Sequence, residues 1–152
     1  AKDFCLLIES KQSDNPNDFL QTIKKHLCTL YVLGLDLPCL YLSSDLDLNV
    51  DLSDTEKKTI RKFISERVPF SYYWIVLNPV DMQNDADVGC GDLLDDLEEI
   101  YCDIKCGLIM LDKKDFSAKE NGVWKLKFDY DNHWNEHCIE AIHVIHNYIA
   151  DN

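Results

Sequence analysis

Positive charge is scarce in this sequence. It carries 15 Lys and Arg residues against 28 Asp and Glu residues, which gives a net charge of −13. Because phosphates repel such a surface, we expect no binding to nucleic acid, and anionic membrane surfaces are disfavoured for the same reason. A partner protein with a basic surface, a cationic ligand or a metal ion would be attracted instead.

Long apolar runs and signal-like segments are also missing. No run reaches the roughly 20 apolar residues of a membrane span, and no secretory signal is visible. The seven cysteines are odd in number and include no Cys-x-x-Cys pair. A secreted disulfide framework would favour an even, closely spaced set. We therefore predict reduced thiols and a cytoplasmic location.

Several familiar enzyme motifs are absent. The chain has no Gly-x-Ser-x-Gly elbow, no P-loop and no Gly-x-Gly-x-x-Gly turn. Internal repeats and low-complexity tracts are missing as well. With 152 residues and 46% hydrophobic content, the chain is long enough to bury a core without disulfides or a structural metal. We predict a single helical domain over residues 1–152.

Hydrophobic spacing predicts an all-α (mainly α) fold, a bundle of four to five helices. Helices are expected over residues 3–10, from residues 14–16 to Gly34, from Ser53 or Asp54 to Pro69, and from Asp92 to about Leu111. The last of these has the clearest apolar stripe. Loops are expected over residues 35–44, 81–91 and 112–121.

Two segments are harder to assign. Residues 70–77 are aromatic and β-branched, as in a strand. Since no partner strand is evident, we predict a short extended aromatic connector, or a short helix, lying over the core. Residues 123–130 alternate apolar and polar side chains, yet they run without Gly or Pro into a helical pattern. Strand and helix therefore both stay open there.

The terminal helix is rich in histidine. His133 and His137 are four residues apart, so they share one helix face and could bind one metal ion. His143 and His146 follow on the same helix. Glu140 and His143 form one Glu-x-x-His pair, which di-iron bundles use in duplicate. Because no second copy occurs, a di-iron site is not predicted.

A matching acidic edge lies on the predicted 92–111 helix. Asp96 and Asp103 are seven residues apart, two turns along one side of its apolar stripe. Gly107 continues that edge and indicates that another helix passes close by. We hypothesise that Asp96 and Asp103 pair with His133 or His137, which would favour the charged imidazole.

Uncommon residues occur in a distinctive order in the latter half of the chain. Asp-Asp-Leu-x-x-Ile-Tyr-x-Asp-Ile-Lys-x-Gly-Leu begins at Asp95, His-Trp-x-x-His begins at His133, and Ala-Ile-x-x-Ile-His begins at Ala141. With Tyr-Trp-x-Val-x-Asn-Pro from Tyr73, this order resembles the bacterial DUF5063 family, which has no assigned function. The resemblance implies a mostly helical fold and a bacterial source. It marks as a shared pattern Asp96, Asp103, Gly107, Trp124, His133, Trp134, His137 and His146.

Three functions follow from these patterns. The first is a non-enzymatic domain that binds another protein or has a regulatory role. The second is a metal-binding protein or metal-dependent enzyme that uses His133 and His137 with Asp96 and Asp103. The third is a small-molecule binding bundle with an aromatic pocket. The first is preferred, with no cofactor, and a divalent metal enters only under the second.

The predicted site has two parts, and no catalytic residue is assigned. The polar part is either a binding site or a buried network, of which we favour the network. Its members are Asp96, Asp103, His133, His137 and His146. The candidate pocket aromatics are Trp74, Tyr101, Trp124 and Trp134. The oligomeric state stays open.

Overall fold

The computed structural model describes residues 1–10, 15–43 and 50–152. This part of the chain is mainly helical and carries a single two-stranded sheet, which confirms the mainly α prediction. The elements are α1 (Lys2–Glu9), α2 (Pro16–Leu35), α3 (Asp54–Ser65), β1 (Tyr72–Val76), β2 (Val88–Asp92), α4 (Leu93–Leu111), α5 (Phe116–Asp129), a π-helical turn (Tyr130–Trp134) and α6 (Asn135–Asp151).

The helices begin where short polar side chains cap their free N–H groups. The Asn15 side chain accepts a hydrogen bond from the main chain at the start of α2, and Ser53 forms a capping box with Glu56 at the start of α3. Asp92 caps α4, as the sequence predicts. The predicted helix start at Asp14 and loop end at Ser44 lie outside the described residues.

Helix α4 lies at the centre of the packing. Its buried stripe includes Leu93, Leu97, Ile100 and Ile104, and it contacts α1, α3, α5 and α6. Helix α2 packs along α6 on the other side of the core. Because α5, the π-helical turn and α6 follow one another without a break, the described residues form five helical segments, within the predicted four to five.

The prediction of an unpaired connector over residues 70–77 is wrong. Strand β1 pairs antiparallel with β2, and Trp74 lies opposite Cys90. All of the partner strand except Asp92 falls inside residues 81–91, for which the sequence predicts a loop. Its two glycines lower its strand propensity, but Gly91 is needed, because a Cβ there would lie 2.3 Å from the Tyr73 ring.

The loop predicted over residues 112–121 is wrong beyond residue 115. Helix α5 begins at Phe116, and the Asp115 side chain caps it by accepting a hydrogen bond from the Ala118 N–H at 2.9 Å. Residues 123–130, left open between strand and helix, are helical. The close approach predicted at Gly107 is confirmed, since a Cβ there would lie 2.4 Å from Leu126 Cγ of α5.

Two further expectations concern the surroundings of the protein. Among the described residues, no helix combines the length and the apolar character needed to cross a membrane. All seven cysteines carry free thiols, as predicted.

Candidate metal-binding site

Three carboxylates on one face of α4 form the acidic wall of the site. Asp96, Glu99 and Asp103 are spaced three and four residues apart, so they line one side of the helix. Two imidazoles face them: His133 lies in the π-helical turn and His137 lies in the first turn of α6. Single π-helical turns inside α-helices occur frequently at functional sites.

Each imidazole is held by one aspartate. Nδ1 of His133 lies 2.7 Å from Oδ2 of Asp103, and Nδ1 of His137 lies 2.8 Å from Oδ1 of Asp96. The structure therefore contains the Asp–His pairs that the sequence suggested. The two rings stand nearly perpendicular, at 85°, with their centroids 4.9 Å apart.

Glu99 connects the two imidazoles through one oxygen atom. Its Oε2 lies 3.1 Å from Nε2 of His133 and 2.8 Å from Nε2 of His137. When Nδ1–H donates to an aspartate, Nε2 of a neutral imidazole carries only a lone pair, as does the carboxylate oxygen. The three atoms can therefore face one another only when a proton or a cation lies between them.

The inner end of the cluster is buried. Asp96 is 3% exposed, and its Oδ2 accepts a hydrogen bond of 2.6 Å from the Tyr73 hydroxyl of β1. The same hydroxyl lies 3.3 Å from Oε2 of Glu140 on α6. Burial and the bond to Asp96 raise the pKa of Tyr73, so the hydroxyl stays protonated and donates.

Negative charge exceeds positive charge in the cluster. The hydrogen bond with Asp96 raises the pKa of His137, although burial of the ring opposes this. Burial raises the pKa of Asp103, although its bond with His133 acts in the opposite direction. Burial also raises the pKa of Glu140, and the nearby charge of Asp96 adds to the effect. Such crowding of carboxylates favours a cation.

The outer end of the cluster is open to solvent. The side chain of His133 is 45% exposed and that of Glu99 is 38% exposed. A cavity of about 260 Å³ lies beside them, and its lining also includes Asp103 and two lysines, Lys57 and Lys125. A small ligand could therefore reach the imidazoles from this side.

Two groups of side chains could hold a metal ion among the described residues. Glu99, His133 and His137 each offer a ligand atom within 4.8 Å of the other two, and so do Asp96, His137 and Glu140. The second group would have to break the bonds that Asp96 makes with His137 and with a tyrosine. The first group leaves those bonds intact, so it is the better candidate.

Other predicted site residues lie away from the cluster. His146 is exposed on α6, about two and a half turns beyond His137. Tyr101 is buried, and its hydroxyl donates a 2.8 Å hydrogen bond to Glu9 of α1. Neither residue contributes to the group that could hold a metal ion.

The tryptophans do not share one pocket among the described residues. Trp134 is buried against Tyr130, with ring centroids 4.7 Å apart. Trp124 stacks on Phe128 on the outer side of α5. Trp74 is 79% exposed on β1. The aromatic pocket expected from the sequence is therefore not formed by these rings together.

Sequence reasoning missed two members of the cluster and gave a third no role in it. Glu99 lies three residues after Asp96 and four before Asp103, so its position on the same face could have been noticed. Glu140 was considered only as part of a di-iron pattern. Tyr73 could not be found, because the pairing of β1 with β2 brings it to Asp96 from a distant part of the chain.

The fold and the cluster define a mainly α-helical protein with carboxylates and imidazoles facing each other across two helices. The chain belongs to the DUF5063 family, described as a domain of unknown function, whose family model matches residues 1–151. The match extends the resemblance from the latter half to nearly the whole chain.

The chain also resembles a solved structure. The crystal structure of protein BF1032 from Bacteroides fragilis matches with a TM-score of 0.80 at 16% sequence identity, and the match covers 97% of this chain and 85% of that chain. At this identity the likeness shows the fold alone. No curated protein matches the chain.

Proposed function

We propose that this protein binds a divalent transition-metal ion through Glu99, His133 and His137. The observation that carries the proposal is the position of one carboxylate oxygen, Oε2 of Glu99, opposite two Nε2 atoms. Both imidazoles are turned so that Nε2 faces this oxygen, because an aspartate holds each Nδ1.

The spacing of the ligand atoms supports this assignment. Zinc bonds of about 2.0–2.1 Å to nitrogen and oxygen put the ligand atoms of a tetrahedral site about 3.3 Å apart. The two Nε2–Oε2 distances are 3.1 and 2.8 Å. The third pair, the two Nε2 atoms, lies within 4.8 Å, so the three side chains already converge on a position that an ion could occupy.

The aspartates have the role expected around a metal-bound histidine. Such histidines almost always donate their other ring N–H to a carboxylate or carbonyl, which fixes the ring orientation and raises the basicity of the ligand nitrogen. Asp103 and Asp96 make these bonds at 2.7 and 2.8 Å. A neutral imidazole with Nδ1–H on aspartate presents Nε2 as a free ligand.

The number of ligands favours a site that keeps an open position. Three protein ligands plus water are typical of catalytic zinc, whereas structural zinc usually has four protein ligands. The same two-histidine, one-carboxylate set also holds iron(II) in some enzymes, so iron(II) is the second ion to test. The cavity beside His133 would receive the open position.

Zinc binding to protein purified without a histidine tag tests the proposal. After treatment with a chelator, calorimetric titration of the wild type is expected to give one ion per chain. Glu99→Gln and His137→Ala each remove a ligand and should weaken binding at least about a hundredfold. Asp103→Asn keeps all three ligands and should weaken it about tenfold.

A matched control comes from the same helix. His146→Ala removes an exposed imidazole from α6 outside the cluster, so its zinc affinity should equal that of the wild type. Saturating zinc should also raise the unfolding temperature of the wild type and of His146→Ala, since a ligand at a hundred times its Kd stabilises by about 2.7 kcal/mol. Absence of saturable binding, or equal loss in His146→Ala, would contradict the proposal.

The protein-interaction function preferred from the sequence rests on a different surface. The observation that favours it is an open edge of β1 next to α6. That surface involves none of the three proposed metal ligands, so the two functions are compatible and can be tested separately.

A further inference from the structure

Strand β1 has one edge whose main-chain groups are not paired. The N–H of Leu77 donates to the Asp87 carbonyl at 2.8 Å, and the N–H of Leu93 donates to the Ser71 carbonyl at 2.9 Å. Because hydrogen-bonded and non-hydrogen-bonded pairs alternate in an antiparallel ladder, the odd-numbered residues of β1 bond to β2. The even-numbered residues point their N–H and C=O groups away from it. They are Tyr72, Trp74 and Val76.

The open edge lacks the usual protection against added strands. The sheet of the described residues has two strands, so nothing in it covers this side of β1. Exposed edges are normally protected by charged side chains, proline or bulges. Residues 70–77 contain neither a charged residue nor a proline. Instead, Tyr72 and Trp74 are 74% and 79% exposed. This combination is typical of a surface that a partner covers.

A groove runs between β1 and α6. Its volume is about 760 Å³, and apolar side chains such as Trp74 and Ile139 line it. Its charged lining is acidic, and no Lys or Arg belongs to the described lining. Asp131 is already paired with Lys127 at 2.7 Å, so Glu136 and Glu140 supply the charge that a ligand would meet.

We propose that this groove binds an extended segment of a partner protein in which basic and apolar side chains alternate. The segment would add a strand to β1, with main-chain hydrogen bonds to Trp74 and Val76 providing affinity. Since side chains alternate across a strand, one set faces α6 and meets Glu136 and Glu140. The other set lies along the exposed apolar face of β1.

Charge distinguishes this partner from a second copy of the chain. A second copy pairing through β1 would bring only the uncharged residues 70–77 to the groove, together with another net charge of −13. It would bring no positive charge to Glu136 and Glu140 and would add repulsion between the two chains. A basic segment satisfies both the main-chain groups and the carboxylates.

A synthetic peptide of alternating Lys and Val, labelled with a fluorophore, is a suitable probe. Fluorescence anisotropy should show that wild-type protein binds it saturably. A peptide of alternating Glu and Val should not bind. A peptide of alternating Lys and Pro has the same charge but cannot add a strand, so it should bind at least about tenfold more weakly.

Substitutions in the protein locate the binding surface. Val76→Pro removes one outward N–H that β2 does not use, and Glu136→Lys reverses one charge of the groove. Each should weaken binding of the Lys–Val peptide at least about tenfold. Asp151→Lys is the matched control, because it makes a similar charge change at the exposed end of α6 and should leave affinity within about twofold.

Several results would overturn the proposal. The first is failure of the wild type to bind the Lys–Val peptide. The second is binding of the Lys–Pro or Glu–Val peptide as tightly as the Lys–Val peptide. The third is binding of the Lys–Val peptide by Val76→Pro and Glu136→Lys with the affinity of the wild type. Sedimentation that shows a wild-type dimer, dissociated by Val76→Pro, would assign the edge to a second copy instead. Circular dichroism and urea denaturation of each variant verify that the helices remain folded.

Discussion

The carboxylate–imidazole cluster and the open edge of β1 are linked through Tyr73, which donates to Asp96 and precedes Trp74 in the strand, but the two regions hold their polar groups differently. In the cluster, Asp96 and Asp103 each hold an imidazole, and Glu99 faces both. At the edge, the main-chain groups of Trp74 have no partner among the described residues. Substitutions in the cluster should therefore affect the free energy of unfolding, whereas those at the edge should affect only partner binding.

The largest effect is expected for Asp96→Ala. The substitution leaves His137 and the hydroxyl of Tyr73 without their buried acceptor, and breaking such a pair costs about 3 kcal/mol of unfolding free energy. Urea denaturation at neutral pH measures this loss. Asp96→Asn keeps an acceptor oxygen and should lose distinctly less. A loss below about 1 kcal/mol for the alanine variant would mean that the buried bonds contribute little.

A smaller effect is expected for Tyr73→Phe, which separates the two regions. The substitution removes the hydroxyl that β1 places on Asp96, and one hydrogen bond to a charged acceptor contributes about 1.5 kcal/mol. The same denaturation experiment applies. The hydroxyl also lies 3.3 Å from Glu140 of the groove, but the peptide would bond to the main-chain groups of Trp74 and Val76, so its affinity should stay within about twofold of the wild type. Loss of peptide binding would show that the two regions are not independent.

An ion pair outside both regions provides a reference for pH dependence. Burial acts to raise the pKa of Glu9, but hydrogen bonds from Lys105 and Tyr101 outweigh it and hold the pKa below its ordinary value. The folded state therefore favours ionised Glu9. Its contribution to stability is present above the unfolded pKa of about 4.3 and is lost as the pH falls through the folded pKa.

The contribution of ionised Glu9 is measured by comparing the free energy of unfolding of Glu9→Gln with that of the wild type. The wild type should be more stable near neutral pH, and the difference should shrink as urea unfolding is repeated at pH values below about 4. A difference that stays constant across this range would show that ionisation of Glu9 is not linked to folding.

The smallest effect on stability is expected for Trp74→Ala. Because this ring is 79% exposed, its removal should change the free energy of unfolding by no more than about 0.5 kcal/mol. Binding of the Lys–Val peptide should nevertheless weaken, since the ring supplies apolar contact beside the added strand. Destabilisation well above this value would mean that Trp74 supports the fold rather than a partner.

Local patterns in the sequence predicted the helices that carry the site. Asp92 and the stripe that follows it give the start and the buried face of α4. The spacing of Asp96 and Asp103 by seven residues, and of His133 and His137 by four, fixes which side chains share a face. Pairing between the two helices then required only that they lie side by side.

Features that depend on distant contacts could not be predicted in this way. Strand β2 contains Gly89 and Gly91, so its propensity is low, and only pairing with β1 stabilises it. Helix α5 has few buried side chains, and its contact with α4 depends on glycines rather than on an apolar stripe. Glu99 stands among many other acids, and only the position of the imidazoles distinguishes it.

The π-helical turn joins a core residue to a surface residue across a single peptide bond. Trp134 is 1% exposed, whereas the neighbouring His133 side chain is 45% exposed. The indole fits against α2 only because Gly34 has no side chain, since a Cβ there would lie 2.9 Å from the indole and closer still to Tyr130. Because the peptide bond is planar and stiff, the packing of the Trp134 indole against Gly34 also restrains the imidazole of the neighbouring His133. The orientation of a half-exposed imidazole thus depends on the smallest residue of α2.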